Sequence, residues 1–305
     1  MRELTTVGAT ALAGTLLAGT AAATTLLPSA GGVAFSTPAG STDTTSPFTD
    51  DVLLDSLTFT APGGGEVVYD GTTGSFSVAR SFEVTQGRSK FNAEFGDNDT
   101  DADGDPAPFT KAGFPGAAQE TTDPTIQDAA LLNAFNSRSL SEITDGESAG
   151  TGQFVVGFEN TLTFDDVGGD GLPDIVFFER GGNDEFDVEL ITGGTLAAPV
   201  FSDPLTIDSG DFASAGFSID TVEIGNSQLL TVAGFDLAAF GLGAGDRAGG
   251  FRLTADDGPD LGGFFLATED PEDFGAPLPD VPLPPAAMLL LGSLGGLVLL
   301  RRATA

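Results

Sequence analysis

The chain has 305 residues, a formal net charge of −34 and neither cysteine nor histidine. Without those two residue types there is no thiol nucleophile, Ser-His-Asp triad, thiolate or imidazole zinc site, or disulfide. The negative charge disfavours nucleic acid as a partner. It favours cations, or a salty medium in which self-repulsion is screened.

Residues 1–23 have the pattern of a secretory signal peptide. Arg2 precedes a stretch of apolar and small residues, and Ala21-Ala22-Ala23 offers a small-residue cleavage site. Residues 24–50 include the polar run STPAGSTDTTSPFTD and are predicted to form a flexible linker. The sequence therefore predicts an exported protein.

Residues 51–145 are predicted to form a β-rich region that contains one helix. Short runs such as LLDSLTFTA and VVYDG are separated by turn signals, and apolar residues in SFSVARSFEV recur mainly at even spacing. The segment TIQDAALLNAFNSRSLSEIT has apolar residues near helical spacing, with Asp123-Pro124 at its start. It is the one convincing soluble helix.

An acidic loop with the sequence GDNDTDADGD lies inside this first region. Asp99, Asp101 and Asp103 alternate before Gly104, which is similar to the first half of an EF-hand calcium loop. Thr110 stands where the bidentate Glu would be, so a complete EF-hand is excluded. The alternatives are a calcium loop of another shape and a solvated acidic loop.

Residues 146–268 form a second β-rich stretch. Runs such as QFVVGFENTLTF, DIVFFER, EFDVELIT, TVEIG and GGFFLAT are separated by glycine-rich turns, which suits an antiparallel β-sandwich or jelly roll. The fold class is therefore all-β. The first region is either an accessory sandwich or the opening strands of the same one, with residues 96–145 as an insertion.

Two more acidic runs lie in this second stretch. Asp166, Asp170 and Asp174 are spaced much as in the calcium loops of integrin-type propeller blades, and ADDGPD contributes Asp256, Asp257 and Asp260. In a sandwich such loops are expected to gather at one end, where oxygen-only ligands would select calcium. The alternative is that Gly and Asp here simply build turns.

Part of this stretch resembles a known type of module. GDGLPDIVFFERGGNDEFDVELI and the later VAGFDLAAFGLGAGDRAGGFRLTADDGPDLGGFFLA are similar to galactose-binding-like β-sandwich modules of exosortase-dependent surface proteins. The resemblance lies within residues 146–268. It implies a jelly roll and suggests contact with glycans.

The C-terminal part has three features in a fixed order. An acidic, proline-rich spacer at 269–285 ends in VPLPP, a short apolar Leu/Gly run follows at 286–300, and Arg301-Arg302 come directly after it. The run is shorter than the roughly 20 residues that a membrane span usually needs. The arginines are typical of a cytoplasmic flank, and the segment 286–305 is predicted to be a short transmembrane helix with a basic tail.

This order of parts resembles the VPLPA variant of the PEP-CTERM sorting tails. The motif is formed by Val281, Pro282, Leu283 and Pro284, with Arg301 and Arg302 as the basic end, while Pro285 departs from the usual Ala. The resemblance implies an exosortase-type membrane protease as partner, transient membrane anchoring and an envelope or extracellular-matrix location in a Gram-negative bacterium. The alternative is a plain single-span anchor.

The expected function is structural or adhesive, with calcium-dependent binding of extracellular polysaccharide as its specific form. No catalytic residue is predicted, and an enzyme is not expected. The rival hypothesis is a secreted carbohydrate-active hydrolase with the same tail, for which Glu159, Glu179 and Glu189 are the least arbitrary carboxyls. Trp and Tyr, which commonly stack on sugar rings, are nearly absent.

Overall fold

The structure is a computed structural model, and it describes residues 25–36, 52–95, 123–146, 150–164, 171–219, 227–256 and 259–280. Within those ranges the chain forms many β-strands and a single α-helix, which confirms the all-β prediction. The strands are β1 Thr25–Leu26, β2 Pro28–Ser36, β3 Leu53–Thr60, β4 Glu66–Asp70, β5 Phe76–Ser77, β6 Ala79–Gln86, β7 Phe91–Phe95, β8 Glu142–Gly146, β9 Gly152–Thr163, β10 Ile175–Arg180, β11 Phe186–Thr195, β12 Ala198–Phe201, β13 Leu205–Ile207, β14 Ala213–Ile219, β15 Gln228–Phe235, β16 Arg247–Ala255, β17 Leu261–Ala267 and β18 Phe274–Gly275. The α-helix, α1, is Pro124–Phe135, and short 3₁₀ helices lie at Arg88–Lys90, Leu237–Phe240 and Pro271–Asp273.

The strands form three antiparallel sheets. The middle sheet has the order β1-β15-β10-β17-β8-β7, with β14 beside β15 and β5 beside β17. The outer sheet has the order β12-β11-β16-β9-β18, with β13 beside β11 and β6 beside β9. A small third sheet has the order β2-β3-β4.

Phenylalanine rings fill the space between the middle and outer sheets. Phe177 of β10 and Phe264 of β17 meet Phe251 of β16, with ring centroids 5.4 and 5.0 Å apart and edge-on geometry. All three side chains are buried. Such rings combine a large apolar area with favourable edge-to-face contacts, so this layer is the main source of stability.

The opposite face of the middle sheet is covered as well. Val176 and Phe178 point away from the main core into a second cluster, where they pack with Leu57, Phe59 and Tyr69 of the small sheet. Every residue of β10 is consequently buried. This double cover explains why IVFF, the first four residues of β10, is a continuous apolar run rather than an alternating one.

The first β-rich region supplies strands to the same sandwich as the second. β6 pairs with β9 in the outer sheet, β5 pairs with β17, and β7 reaches β17 through β8 in the middle sheet. Of the two arrangements that the sequence leaves open, the structure has the one in which the early strands belong to a single body. The end of the predicted insertion is nevertheless part of the middle sheet, because β8 pairs with β7 and β17.

Helix α1 packs over the edge of this body. Leu131, Ala134 and Phe135 are buried in the main core, and the Asp128 carboxylate receives two hydrogen bonds from the Arg88 guanidinium, at 2.6 and 3.0 Å. The helix begins at Pro124 as predicted but ends at Phe135. The end of the predicted helical segment belongs to strand β8 instead, where Ile143 is fully buried.

Parts of the segments predicted as a linker and as a spacer form strands or docked chain. Part of the predicted linker forms β1 and β2, which pair with β15 and β3. Residues 269–280 of the predicted spacer lie against the outer sheet, and β18 pairs with β9. Both dockings depend on partners far away in sequence, which local composition does not reveal.

The predicted signal peptide and the segment 281–305 lie outside the described residues. Among the helices of the described ranges, none has the length and apolar character needed to span a membrane.

Candidate functional site: an acidic cleft at one end of the sandwich

A surface cleft of about 430 Å³ opens at one end of the outer sheet. Its walls come from the β10–β11 loop with the start of β11, and from the end of β16, whose Thr254 pairs with Asp187 across the sheet. Asp184, Glu185, Asp187 and Asp256 line it. We call this feature the acidic cleft.

Hydroxyl groups hold two of the carboxylates in place. The Thr206 hydroxyl donates to Asp187 Oδ1 at 2.6 Å, and the Thr151 hydroxyl donates to Asp256 Oδ1 at 2.8 Å. The backbone N–H of Gly150 also donates to the Asp256 carbonyl at 2.7 Å. Each carboxylate keeps lone pairs for a further donor or a cation, because one hydroxyl occupies only a single acceptor position.

Glycine lets the β10–β11 loop turn tightly beside the cleft. Gly182 has a φ of 66°, and its N–H donates to Glu179 Oε2. A Cβ at this position would lie 2.8 Å from Cγ2 of Thr231 on the neighbouring strand. The loop therefore requires glycine for its conformation and for its close approach to β15.

Behind this loop lies a fully buried carboxyl group. Glu179 on β10 has no solvent-exposed surface, and its Oε1 receives no hydrogen bond from any described residue. Burial raises the pKa of Glu179 to about 9, and the negative charge of Asp184 adds to the effect. The group is therefore protonated at neutral pH, and its O–H can donate to the Asp184 carboxylate.

The next residue of β10 is an arginine that forms an ion pair with Asp260. Arg180 is buried, and its guanidinium donates to Asp260 Oδ2 at 2.9 and 3.3 Å. Its backbone N–H also donates to the Asp260 carbonyl at 2.8 Å. Asp260 is thus part of a buried ion pair that ties β10 to the start of β17.

The three predicted calcium residues that the structure describes fall at both ends of the sandwich rather than at one. Asp256 and Asp260 lie at the cleft end. Asp174 lies at the other end of β10, where its Oδ2 accepts from the Leu237 N–H at 2.8 Å and so caps a 3₁₀ helix. The other six predicted aspartates lie outside the described residues: Asp99, Asp101, Asp103, Asp166, Asp170 and Asp257.

The cleft offers hard oxygen donors without forming a closed metal site. Within the described ranges no three acidic side chains converge as the ligands of one ion. Carboxylate oxygens are nevertheless the donors that calcium prefers. An ion held by Asp187 or Asp256 would have to complete its coordination with water or with oxygen atoms of a bound ligand.

The carboxyls considered for hydrolysis lie in three different settings. Glu159 is exposed, Glu179 is buried beside Asp184, and Glu189 accepts from Arg252 Nε at 2.6 Å on the outer sheet. The cleft residues Asp184, Glu185 and Asp187 were not predicted as a site. The run GGNDEFD indicates a turn, and the proximity of its acids to Asp256 depends on the pairing of β11 with β16.

No protein-family model, curated protein or solved structure matches this chain.

Proposed function

We propose that this chain is an exported surface protein of the bacterial envelope or matrix, in which a jelly-roll sandwich displays the acidic cleft away from a C-terminal membrane tail. The observation that carries the proposal is the position of the cleft relative to the tail. Strand β11 begins at Phe186 beside the cleft, and the turn after its other end, Leu196-Ala197, donates backbone hydrogen bonds to the carbonyls of Pro279 and Asp280.

The two sites lie at different levels of the outer sheet. Leu196 lies against Gly157 of β9, whereas Thr254 of the cleft pairs with Gln153, four residues away, which corresponds to roughly 13 Å at about 3.3 Å per residue. The tail leaves the body after Asp280, and only residues 281–285 separate it from the apolar run 286–300. Five extended residues reach at most roughly 18 Å. If the run lies in a membrane, the body sits close to that membrane.

This arrangement supports a structural or adhesive role. The sorting tail with its VPLPP motif would be the substrate of an exosortase-type protease, and the galactose-binding-like resemblance would account for binding of extracellular polysaccharide. Calcium would bridge cleft carboxylates and sugar oxygens, because the cleft supplies only part of a coordination shell. The abundance of acidic residues fits a protein that meets cations rather than phosphates.

Cosedimentation of the full-length chain in mild detergent with the producing organism's extracellular polysaccharide tests this proposal. We expect saturable binding in calcium and its loss in a chelator. The variant Asp187→Asn/Asp256→Asn should weaken binding about tenfold or more, because it removes two bridging carboxylates. The control Glu269→Gln/Glu272→Gln has the same charge change at exposed positions of the tail end and should bind normally. Equal losses in both variants, or no binding in either buffer, would contradict the glycan-binding proposal.

A further inference from the structure

The residues directly before the sorting motif form a docked segment, which we call the C-terminal strap and define as Phe274–Asp280. Phe274 pairs with Leu162 and Gly275 with Thr161, so that β18 continues the edge of β9 beyond β6. The Thr161 hydroxyl donates to the Ala276 carbonyl at 3.0 Å. The strap thus covers backbone groups of β9 that would otherwise form an open strand edge.

An apolar contact fixes the middle of the strap. Leu278 is buried, with 8% of its surface exposed. It lies against Gly249 of β16, where a Cβ would come within 2.6 Å of Leu278 Cγ. The absence of a side chain at Gly249 creates the space that Leu278 occupies, so the strap has a defined seat on the outer sheet.

The end of the strap is held by Arg80 and by the β11–β12 turn. Arg80 of β6 donates to the Leu278 carbonyl at 2.5 Å and to Asp280 Oδ1 at 2.6 Å. The N–H groups of Leu196 and Ala197 donate to the carbonyls of Pro279 and Asp280 at 3.1 and 3.2 Å. Main-chain hydrogen bonds therefore continue to Asp280, the residue before Val281.

We infer that the strap is a permanent part of the folded body and that it confines proteolytic processing of the tail to bonds after Asp280, with Arg80 as its positioning residue. A protease binds its substrate as an extended, unpaired strand, and the strap backbone is already paired. Hydrolysis adds water across one peptide bond and leaves a new carboxylate and amine. When this occurs beyond Asp280, the mature protein keeps β18 and the edge of β9 stays covered.

This inference rests on the proposed function for its biological setting, but its test does not. Limited digestion of the full-length chain in detergent with a broad-specificity protease, read by intact mass, reports which bonds are open. We expect the wild-type fragments to end at or after Asp280. Arg80→Ala should accelerate cleavage within residues 274–280 at least about fivefold, because cleavage follows the population of the undocked strap.

Arg252→Ala is the matched control. It removes an ion pair of the same sheet whose arginine is 28% exposed, compared with 27% for Arg80, and it does not touch the strap. This variant should digest like the wild type. Arg80→Lys should lie between, because it retains the charge but loses the geometry of the guanidinium.

Three results would overturn the inference. Wild-type cleavage inside the strap as fast as in Arg80→Ala would show that the strap is not fixed. Equal protection of the strap in both chains would show that Arg80 does not hold it. Failure of the sorting proposal would look different: the tail would remain unprocessed in cells while the digestion pattern stayed as expected. A mature C-terminus within residues 274–279 would also contradict the inference.

Discussion

The two ends of the sandwich use their acidic residues in different ways. At the tail end, Asp174, Asp236 and Asp246 each accept a hydrogen bond from a backbone N–H, and the acids thereby stabilise turns and 3₁₀ helices. At the cleft end, Asp208 and Asp211 stabilise a turn in the same way, but Asp187 and Asp256 accept from single hydroxyls, and Asp184 lies close to the buried Glu179.

This difference teaches which acids are structural and which are available to a ligand. A carboxylate that caps a backbone N–H adds to stability. Carboxyls that crowd one another reduce stability until a proton or cation neutralises them. At the cleft end this applies to Glu179, whose pKa is raised by burial and by the nearby charge of Asp184.

The largest expected effect on stability comes from removing the buried Arg180 side chain at the cleft end. Arg180→Ala leaves Asp260 without its guanidinium in a largely buried position and should lower the free energy of unfolding by about 3–5 kcal/mol. Chemical denaturation measures this change. Arg252→Ala, which breaks a half-exposed pair, should cost about 1 kcal/mol or less. Equal losses would show that the Arg180 pair is not the main electrostatic support of this end.

An effect of opposite sign comes from the buried carboxyl. The pKa of Glu179 is raised from 4.5 to about 9, so between these values the folded state holds a proton that the unfolded state has lost. Stability from this group therefore falls as pH rises, by up to about 1.4 kcal/mol per pH unit. Glu179→Gln mimics the protonated form and should be stabilising at pH 8 but nearly neutral at pH 4.

Thermal unfolding of the wild type and of Glu179→Gln between pH 4 and pH 8 measures the difference in stability. The titration of the other groups is common to both proteins and cancels in the comparison. Glu189→Gln is the control, because it weakens the ion pair with Arg252 and should destabilise slightly. A stability gap between wild type and Glu179→Gln that does not widen with pH would contradict the assignment of a protonated Glu179.

Much of the sheet structure could be predicted from the sequence. The runs QFVVGFENTLTF and DIVFFER correspond to β9 and β10, because strand length, apolar content and flanking turns are local properties. The jelly-roll topology and the calcium ligands stay predictions. The strand predicted at TVEIG and the acidic loop around Asp101 lie outside the described residues.

The functional geometry could not be predicted in the same way. Glu179 reads as an accessible acid at the end of a strand, and its burial follows from β15 and β17 on either side. The strap reads as a spacer because its prolines and acids suggest solvent exposure. Its docking depends on Arg80 and Gly249, which come from distant parts of the chain.

The orientation of the two ends relative to a membrane is the central claim, and the absence of native cysteine allows a direct measurement. Single variants Glu185→Cys at the cleft and Glu269→Cys at the tail end would each carry a fluorophore, with the full-length chain reconstituted in vesicles that contain headgroup nitroxide lipids. The account predicts stronger quenching at residue 269 than at residue 185, because residue 269 lies shortly before the strap that leads to the tail, whereas residue 185 lines the cleft. Equal quenching at both positions, or stronger quenching at residue 185, would contradict the display of the acidic cleft away from the membrane.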